Sequence, residues 1–220
     1  MCGRYTHRLS WREIHDLYRL TDTVAAPNLE PRYNMAPQQR APVVRTMAAG
    51  GRELAFARWG LVPAWSKEPR TTYSTINARA ETVATKPAFR DAFRHRRCLV
   101  PASGWYEWED RPDGKQPWLY ARADGGVLTF AGLWERWGPR DDKPALDSFT
   151  IIVCGANPLA ADKHDRMPAI LRPADFDAWL DGSSGDALLR PWPDDDLVAR
   201  PVSRRVNSVR NDDAECIDGA

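Results

Sequence analysis

Short apolar stretches bounded by Gly, Pro, Asn and Asp recur along the chain and predict strands rather than long helices. Examples are RCLVPA at 97–102, GWYEW at 104–108, PWLYARA at 117–123, VLTFAGLW at 127–134 and SFTIIVCGAN at 148–157. An Asp-Gly-Gly turn predicts that the third and fourth of these strands form a hairpin. Two earlier runs, at 42–48 and 52–60, predict another hairpin that turns at the intervening Gly-Gly pair.

Helical periodicity is confined to a few short segments. The clearest follows Ser10, which forms an S-x-x-E capping box with Glu13, and it predicts a helix over about residues 11–20. Amphipathic patterns at 86–96 and 173–180 predict two more. Because strands dominate and no β-α-β alternation occurs, we expect an α+β fold: a mainly antiparallel, barrel-like sheet with a few short peripheral helices.

Composition favours one domain without a strong overall charge. The 220 residues are 43% hydrophobic, so we expect a single domain over 1–220, with a mobile polar tail at about 212–220. Lys plus Arg number 31 against 30 Asp plus Glu, so any contact with nucleic acid must come from a local cluster of cations. The absence of a heptad pattern favours a monomer.

Sorting signals and cysteine usage point to the cytosol. The sequence has neither an apolar run of about 18 residues nor a secretory signal, which predicts a cytosolic protein without membrane contact. The cysteines are too far apart to suggest a redox pair, and Cys98 and Cys154 lie in apolar stretches typical of the core. Histidines and cysteines do not approach zinc spacing, so we expect neither a metal nor an organic cofactor.

Cys2 has a chemical prospect that internal cysteines lack. Its small side chain is compatible with removal of Met1, which leaves an α-amine and a thiol on adjacent carbons. The amine can form a Schiff base with an aldehyde, and the sulfur can then close a five-membered thiazolidine. An α-amine with a pKa of about 7.7–8.0 is partly neutral at pH 7, whereas a lysine is almost wholly protonated. Position alone leaves open the alternative that Cys2 belongs to a frayed terminus.

Six short motifs in order weigh against that alternative. The opening MCGRYT is followed by RYNMAP at 32–37, INARAET at 76–82, SGWYEW at 103–108, HDRMP at 164–168 and PVSRRVN at 201–207. Together they resemble the SRAP family, the SOS response-associated peptidase domain whose members crosslink to abasic sites in DNA. The resemblance runs from residue 2 to about residue 211 and implies single-stranded DNA containing an abasic site as the partner.

The resemblance also implies catalytic roles for four residues. Cys2 is the nucleophile, and Asn77 holds the amino-terminal amine and the substrate. Glu107 transfers protons, and His164 assists ring opening and reversal. All four residue types are present at the matching positions of this chain.

A DNA-binding set follows from the same resemblance. The arginines that contact phosphates are Arg4, Arg79 and Arg166, and Trp65 is a stacking wall beside the site. Where the family often has a second aromatic residue after that tryptophan, this chain has Ser66.

The chemistry of these residues agrees with such roles but leaves alternatives open. Glu107, set among aromatic residues, is expected to have a pKa raised by desolvation, which suits a general acid–base; the alternative is a residue on the outer face of a strand. His164 follows an apolar strand, in the kind of loop that often carries site residues, and a solvated loop histidine is its alternative. The five cations of 86–97 could extend the DNA track or form a solvated helix face.

Three functions follow as hypotheses. The first is a protein that senses abasic sites in single-stranded DNA and forms a thiazolidine crosslink through Cys2, shielding the lesion from strand cleavage. The second is an N-terminal-nucleophile cysteine hydrolase or peptidase, in which the α-amine is the base for its own thiol; its activity extends to other substrates or is confined to its own leading residue. The third is a reader of damaged DNA that forms no covalent bond.

Overall fold

The computed structural model describes residues 2–21, 26–138 and 145–220. The strands in these ranges are β1 (Tyr5–His7), β2 (Arg32–Met35), β3 (Arg40–Thr46), β4 (Arg52–Trp59), β5 (Asn77–Arg79), β6 (Arg97–Ala102), β7 (Gly104–Arg111), β8 (Gly114–Arg122), β9 (Leu128–Trp137), β10 (Leu146–Gly155), β11 (Arg166–Pro168) and β12 (Leu197–Pro201). The α-helices are α1 (Trp11–Tyr18), α2 (Arg90–His95), α3 (Pro158–Ala161) and α4 (Phe176–Leu180).

The first sheet is antiparallel, with the strand order β12-β8-β7-β1-β2. β1 lies inside it, since Tyr5 pairs with Trp105 of β7 on one side and with Met35 of β2 on the other. β1 is therefore paired along both of its edges, with β7 on one side and with β2 on the other.

The second sheet closes into a barrel. Its strands follow the path β4-β3-β6-β9-β10, and β10 returns to β4 through a short parallel pairing at Ser148 and Phe149. The carboxyl end of β10 also pairs with β5 and β11. This arrangement confirms the expected α+β fold with a mainly antiparallel, barrel-like sheet and short helices.

The two sheets share an aromatic core. Trp105 stacks on Tyr120 within the first sheet, with ring centroids 4.8 Å apart, and meets Phe130 of the barrel edge-on at 6.4 Å. Tyr5 contacts Trp59 and Phe130 in the same way. The inner face of β7 is therefore buried against the barrel.

The outer face of the first sheet carries a second apolar cluster. Alternation along β7 places Tyr106 there, and the cluster also contains Val202, Val206 and Cys216. The carboxyl-terminal segment thus covers this face, and both faces of β7 are buried.

The prediction of a hairpin that turns at residues 124–126 is wrong. The turn itself forms as its sequence predicts, because Asp124 accepts a hydrogen bond from the Gly126 N–H at 2.9 Å and Gly125 adopts a φ of 72°. The flanking strands β8 and β9 nevertheless belong to different sheets. Turn residues fix a local reversal of the chain, whereas the partner of a strand depends on packing between distant segments.

The polar end of the chain contacts the first sheet through Asp212 and Cys216, and the mobile tail expected at about 212–220 stays a prediction. The Asp212 carboxylate accepts hydrogen bonds from the backbone N–H groups of Tyr33 at 2.6 Å and Asn34 at 2.8 Å, and it pairs with Arg32. Cys216 is fully buried. These contacts join residues about 180 positions apart, which no local pattern could reveal.

The other local predictions are largely confirmed. α1 begins after Ser10 with both capping-box bonds and ends at Tyr18, before Arg19 adopts a left-handed conformation. The earlier hairpin is β3–β4. The helix expected over 86–96 is limited to α2, and 173–180 forms a 3₁₀ turn that continues into α4. No helix within the described ranges is long and apolar enough to cross a membrane.

Candidate functional site

Cys2 is buried in the core rather than frayed. It lies three residues before the start of β1, and none of its surface is exposed. Burial, and then the negative charge of Glu107, raise the pKa of its thiol well above the usual range. The sulfur is therefore protonated at neutral pH. Met1, whose removal is expected, lies outside the described residues.

Glu107 lies on the inner face of β7. Since Trp105 points into the shared core and side chains alternate along a strand, Glu107 points the same way. Only 3% of its surface is exposed. Burial raises the pKa of its carboxyl group to about 7, and the positive charge of the amino terminus acts in the opposite direction. The alternative of an outward-facing strand residue is thus wrong, and the carboxyl group can both donate and accept a proton near pH 7.

His164 lies in the loop between α3 and β11. Its Nδ1 accepts a hydrogen bond from the backbone N–H of Arg166 at 2.9 Å, so a neutral ring carries its proton on Nε2. The same Nδ1 is 2.9 Å from Asp165 Oδ1, a contact that is attractive only if the ring is protonated. Because burial and the charge of the amino terminus lower the pKa of His164, we take the neutral form with the backbone bond as the one present at pH 7.

Glu107 and His164 share one electrostatic environment. The positive charge of the amino terminus and the negative charge of Asp165 both act on the pKa of each residue, after the larger effect of burial. The terminal segment, the strand β7 and the loop before β11 therefore meet at one place. The fold brings three of the four expected catalytic residues to this junction.

Asn77 opens β5 and lines a neighbouring cleft. Alternation turns Ala78 into the core, so Asn77 and Arg79 share the other face of the strand. Both Nδ2 and Oδ1 of Asn77 are buried without a hydrogen-bond partner in the described part of the chain. Buried polar atoms of folded proteins nearly always have partners, so this amide is a candidate for binding a substrate.

The cleft beside Asn77 has a volume of about 770 Å³. Trp65 and Tyr73, which are 59% and 49% exposed, line it together with Arg79 and Lys86. Exposed rings beside cations are the combination that binds single-stranded nucleic acid. Cys2, Glu107 and His164 do not line this cleft, so Asn77 is the catalytic candidate that adjoins it.

Arg79 and Arg166 lie on strands that both pair with the end of β10. Arg79 pairs with Val153, and Arg166 pairs with Gly155. Glu81 connects them, because it forms an ion pair with Arg166 and its pKa is also lowered by the charge of Arg79. Two of the three expected phosphate-binding arginines are therefore close neighbours.

Arg4 contacts the carboxyl-terminal segment. Its Nη1 donates hydrogen bonds to Asn34 Oδ1 at 2.5 Å and to the Val206 carbonyl at 2.9 Å. The guanidinium also lies 5.5 Å from the centre of the Trp108 ring, on the outer face of the first sheet. These contacts place Arg4 between the first sheet and the carboxyl-terminal segment, and its phosphate contact stays a prediction.

Tyr73 was not among the candidate residues, and Lys86 was expected only as one of the five cations of 86–97. Tyr73 stands in a polar loop, RTTYSTIN, which is the same setting that made Trp65 conspicuous. The solvated helix face expected for 86–97 is only partly present. Lys86 lines the cleft, and Arg97 is buried with its guanidinium 4.5 Å from the Trp179 ring.

Within the described residues, no group of three or more His, Cys, Asp or Glu side chains is arranged to hold a metal ion. The polar groups of the site are instead a thiol, a carboxyl, an imidazole and an amide. These groups serve proton transfer and hydrogen bonding to an organic substrate.

The fold is a β barrel packed on a second antiparallel sheet. Its candidate site combines a buried cysteine with a carboxyl group whose pKa is raised. The model of the SOS response associated peptidase (SRAP) family matches residues 1–209, and the chain belongs to this family. The resemblance carried by the six motifs is thereby confirmed.

Curated relatives and a solved structure match over nearly the full length. The chain is 36% identical over 224 residues to Abasic site processing protein YoqW of Bacillus subtilis, with 99% of each chain covered. It is 30% identical over 228 residues to Abasic site processing protein YedK of Escherichia coli, again with 99% of each covered. A crystal structure of a protein from Bacteroides thetaiotaomicron has a TM-score of 0.86 at 25% identity, with both chains wholly covered.

Proposed function

We propose that this protein recognises abasic sites in single-stranded DNA and bonds to them covalently through a processed amino terminus at Cys2. Relatives named abasic site processing proteins support the substrate. The observation that carries the chemistry is the buried Cys2 thiol beside Glu107, whose pKa is about 7. The nucleophile Cys2 therefore lies beside a carboxyl group, that of Glu107, which can donate and accept protons near pH 7.

The reaction begins with the sugar. In its closed form, the abasic sugar becomes an aldehyde when the ring oxygen gains a proton and the hydroxyl on C1′ loses one. The protonated fraction of His164 donates the first proton through Nε2, the ionised fraction of Glu107 accepts the second, and proton exchange with solvent later restores His164. The amide of Asn77, whose buried polar atoms have no hydrogen-bond partner among the described residues, orients the sugar and the amine.

Covalent bonding then follows in two stages. The α-amine of Cys2 adds to C1′, and protonated Glu107 supplies the proton with which the hydroxyl leaves as water, giving an imine. The sulfur adds to the imine carbon, and its proton passes through Glu107 to the nitrogen. The net products are a thiazolidine and one water.

The state of the thiol sets the order of these stages. Because the pKa of Cys2 is raised by burial, the sulfur is a weak nucleophile at neutral pH, whereas an α-amine is partly neutral there. The amine therefore attacks first. Closure by sulfur removes the imine, which would otherwise permit β-elimination and cut the strand, so the product protects the lesion.

DNA flanking the lesion binds along the neighbouring cleft. Arg79 and Arg166 contact phosphates, and a base stacks on Trp65, with Tyr73 as a second exposed ring in the same cleft. A small number of cations suits the near-zero net charge, since a covalent bond retains DNA that is only weakly held by electrostatics.

A second candidate function comes from the family description, which names a peptidase. In an N-terminal-nucleophile hydrolase, the freed α-amine of Cys2 would be the base for its own thiol. Such an activity would need a peptide or amide substrate. It could be limited to removal of Met1.

Intact mass spectrometry separates these candidates. The processed protein is incubated with an abasic oligonucleotide, with the same oligonucleotide after borohydride reduction, and with a panel of peptides and amides. We expect an adduct equal to protein plus DNA minus one water, with the unreduced oligonucleotide alone. Cleavage of the panel without an adduct would favour the hydrolase. Equal binding of both oligonucleotides without an adduct would favour a non-covalent reader.

A further inference from the structure

Lys163, the residue before His164, is almost enclosed although it is a lysine. Its Nζ lies 2.7 Å from Asp162 Oδ2, 3.3 Å from Glu109 Oε1 and 4.5 Å from the centre of the Trp118 ring. Only 11% of the side chain is exposed. Lysine is rarely so covered unless it is paired, so these contacts define where the loop before β11 lies.

Two of the contacts reach the strands around Glu107. Glu109 is two residues further along β7 and shares the face of Glu107, while Trp118 of β8 is the cross-strand partner of Glu107. Trp118 also donates its Nε1–H to Glu109 Oε2 at 3.1 Å. Lys163, Glu109 and Trp118 therefore contact one another, and we name these three residues the Lys163 clamp.

The other end of the loop is held by the second sheet. Arg166 pairs with Gly155 of β10, and its guanidinium forms an ion pair with Glu81. His164 thus lies between an anchor to the first sheet at Lys163 and an anchor to the second sheet at Arg166. The Lys163 side chain adds a direct contact with β7 and β8 to the backbone hydrogen bonds that join the loop to α3.

We propose that Lys163 is a positioning residue: the Lys163 clamp holds the loop that carries His164 against β7, so that His164 and Glu107 act on the same sugar. This inference rests on the proposed function. Placement matters because a displacement of about 1 Å between reacting groups can slow a reaction by roughly 100-fold.

Two variants remove the clamp from opposite sides. Lys163→Met keeps an apolar stem over Trp118 without the charge, and Glu109→Gln removes the acceptor on β7. Each is expected to lower the first-order rate of crosslinking by about 10-fold or more, and the double variant no further, because both remove one coupled interaction. Lys163→Arg should restore most of the rate, since a guanidinium can pair and stack in the same place.

Matched controls separate positioning from binding and folding. Asp162→Asn removes the nearer contact of Lys163, but from within the same loop, so it should leave the rate unchanged. Affinity for borohydride-reduced abasic DNA, which cannot be crosslinked, should stay within about 2-fold in Lys163→Met, because neither Trp65 nor Arg79 is touched. Thermal midpoints of all variants identify any that fail to fold.

A second readout needs no DNA. The imidazole of His164 is titrated by NMR in the wild type, Lys163→Met and Glu109→Gln. Simple charge effects on the pKa of His164 would have opposite signs in the two variants, since one loses a cation and the other an anion. Displacement of the loop into water instead moves the pKa upward, towards the usual value of 6.5, in both.

The outcomes distinguish failure of the inference from failure of the proposed function. If the wild type forms no adduct, the proposed function is contradicted. The titration of His164 then still tests whether the Lys163 clamp positions the loop. Wild-type rates together with an unmoved His164 pKa in both variants would overturn the inference. So would an Asp162→Asn variant as slow as Lys163→Met.

Discussion

The carboxyl group of Glu107 lies close enough to the Cys2 thiol for its negative charge to raise the thiol's pKa, an effect second only to burial. Burial also brings the pKa of Glu107 itself to about 7. At neutral pH the sulfur therefore retains its proton, and the carboxyl group exists in both protonation states. This pair is suited to a reaction in which an amine attacks first and several protons move afterwards.

Glu107→Gln is expected to slow crosslinking by about 100-fold or more, the usual contribution of a general acid–base. The wild-type rate should bend near pH 7, where Glu107 titrates, and the variant should keep only the bend that the α-amine imposes at about 7.7–8.0. Single-turnover rates from pH 5 to pH 9 measure both effects. Asp110→Asn, on the same strand but exposed to solvent, is the control and should keep the bend near pH 7. A Glu107→Gln variant with the wild-type profile would remove Glu107 from the mechanism.

The carboxyl group of Glu107 also makes the free energy of unfolding depend on pH. Its pKa is higher in the folded state, about 7 against the usual 4.5, so its contribution to stability is present below 4.5 and is lost as pH rises through 7. Relative to the wild type, Glu107→Gln should gain roughly 2–3 kcal/mol in the free energy of unfolding between pH 5 and pH 8.

Urea unfolding of both proteins at the two pH values provides the test. His7, whose pKa is lowered by burial to about 4, titrates in both proteins and cancels in the difference. A difference that stays constant from pH 5 to pH 8 would show that the carboxyl group of Glu107 has an ordinary pKa.

Arg79 and Trp65 should affect DNA binding in different ways. Arg79→Gln removes a phosphate contact, so the slope of log K against log salt should become shallower by about 0.7. Trp65→Ala should lose about 1–3 kcal/mol of binding free energy with the slope unchanged, because stacking releases no counterions. Fluorescence anisotropy with reduced abasic single strands at several salt concentrations measures both. Arg12→Gln, on the exposed side of α1, should change neither quantity.

Local sequence rules predicted those elements whose signals are local. The capping box at Ser10 fixed the start of α1, and the apolar run at 97–102 coincides with β6. The pairing of strands could not be predicted from local patterns. β5 and β11, which carry Asn77 and Arg166, have three residues each and exist because β10 pairs with them. Strands this short have no pattern of their own.

In the candidate site, too, some residues were predicted from the sequence and others depend on contacts between distant segments. The motifs pointed to Cys2 and Glu107, and the structure supplied the burial that accounts for their pKa values. Lys163 gave no signal in the sequence, because its contacts with Glu109 and Trp118 join residues about 50 positions apart. Tyr73 lies in the polar loop just before β5 and lines the cleft together with Asn77.

The central claim is that the processed amino terminus of Cys2 forms the bond to DNA, and a denaturing gel with abasic single-stranded DNA tests it most directly. We predict a heat-stable adduct for the processed wild type, no adduct for Cys2→Ala, retained binding without a stable crosslink for Cys2→Ser, and no adduct when the amine is acetylated. Equally strong adducts from Cys2→Ala, or from a protein that retains Met1, would contradict the account.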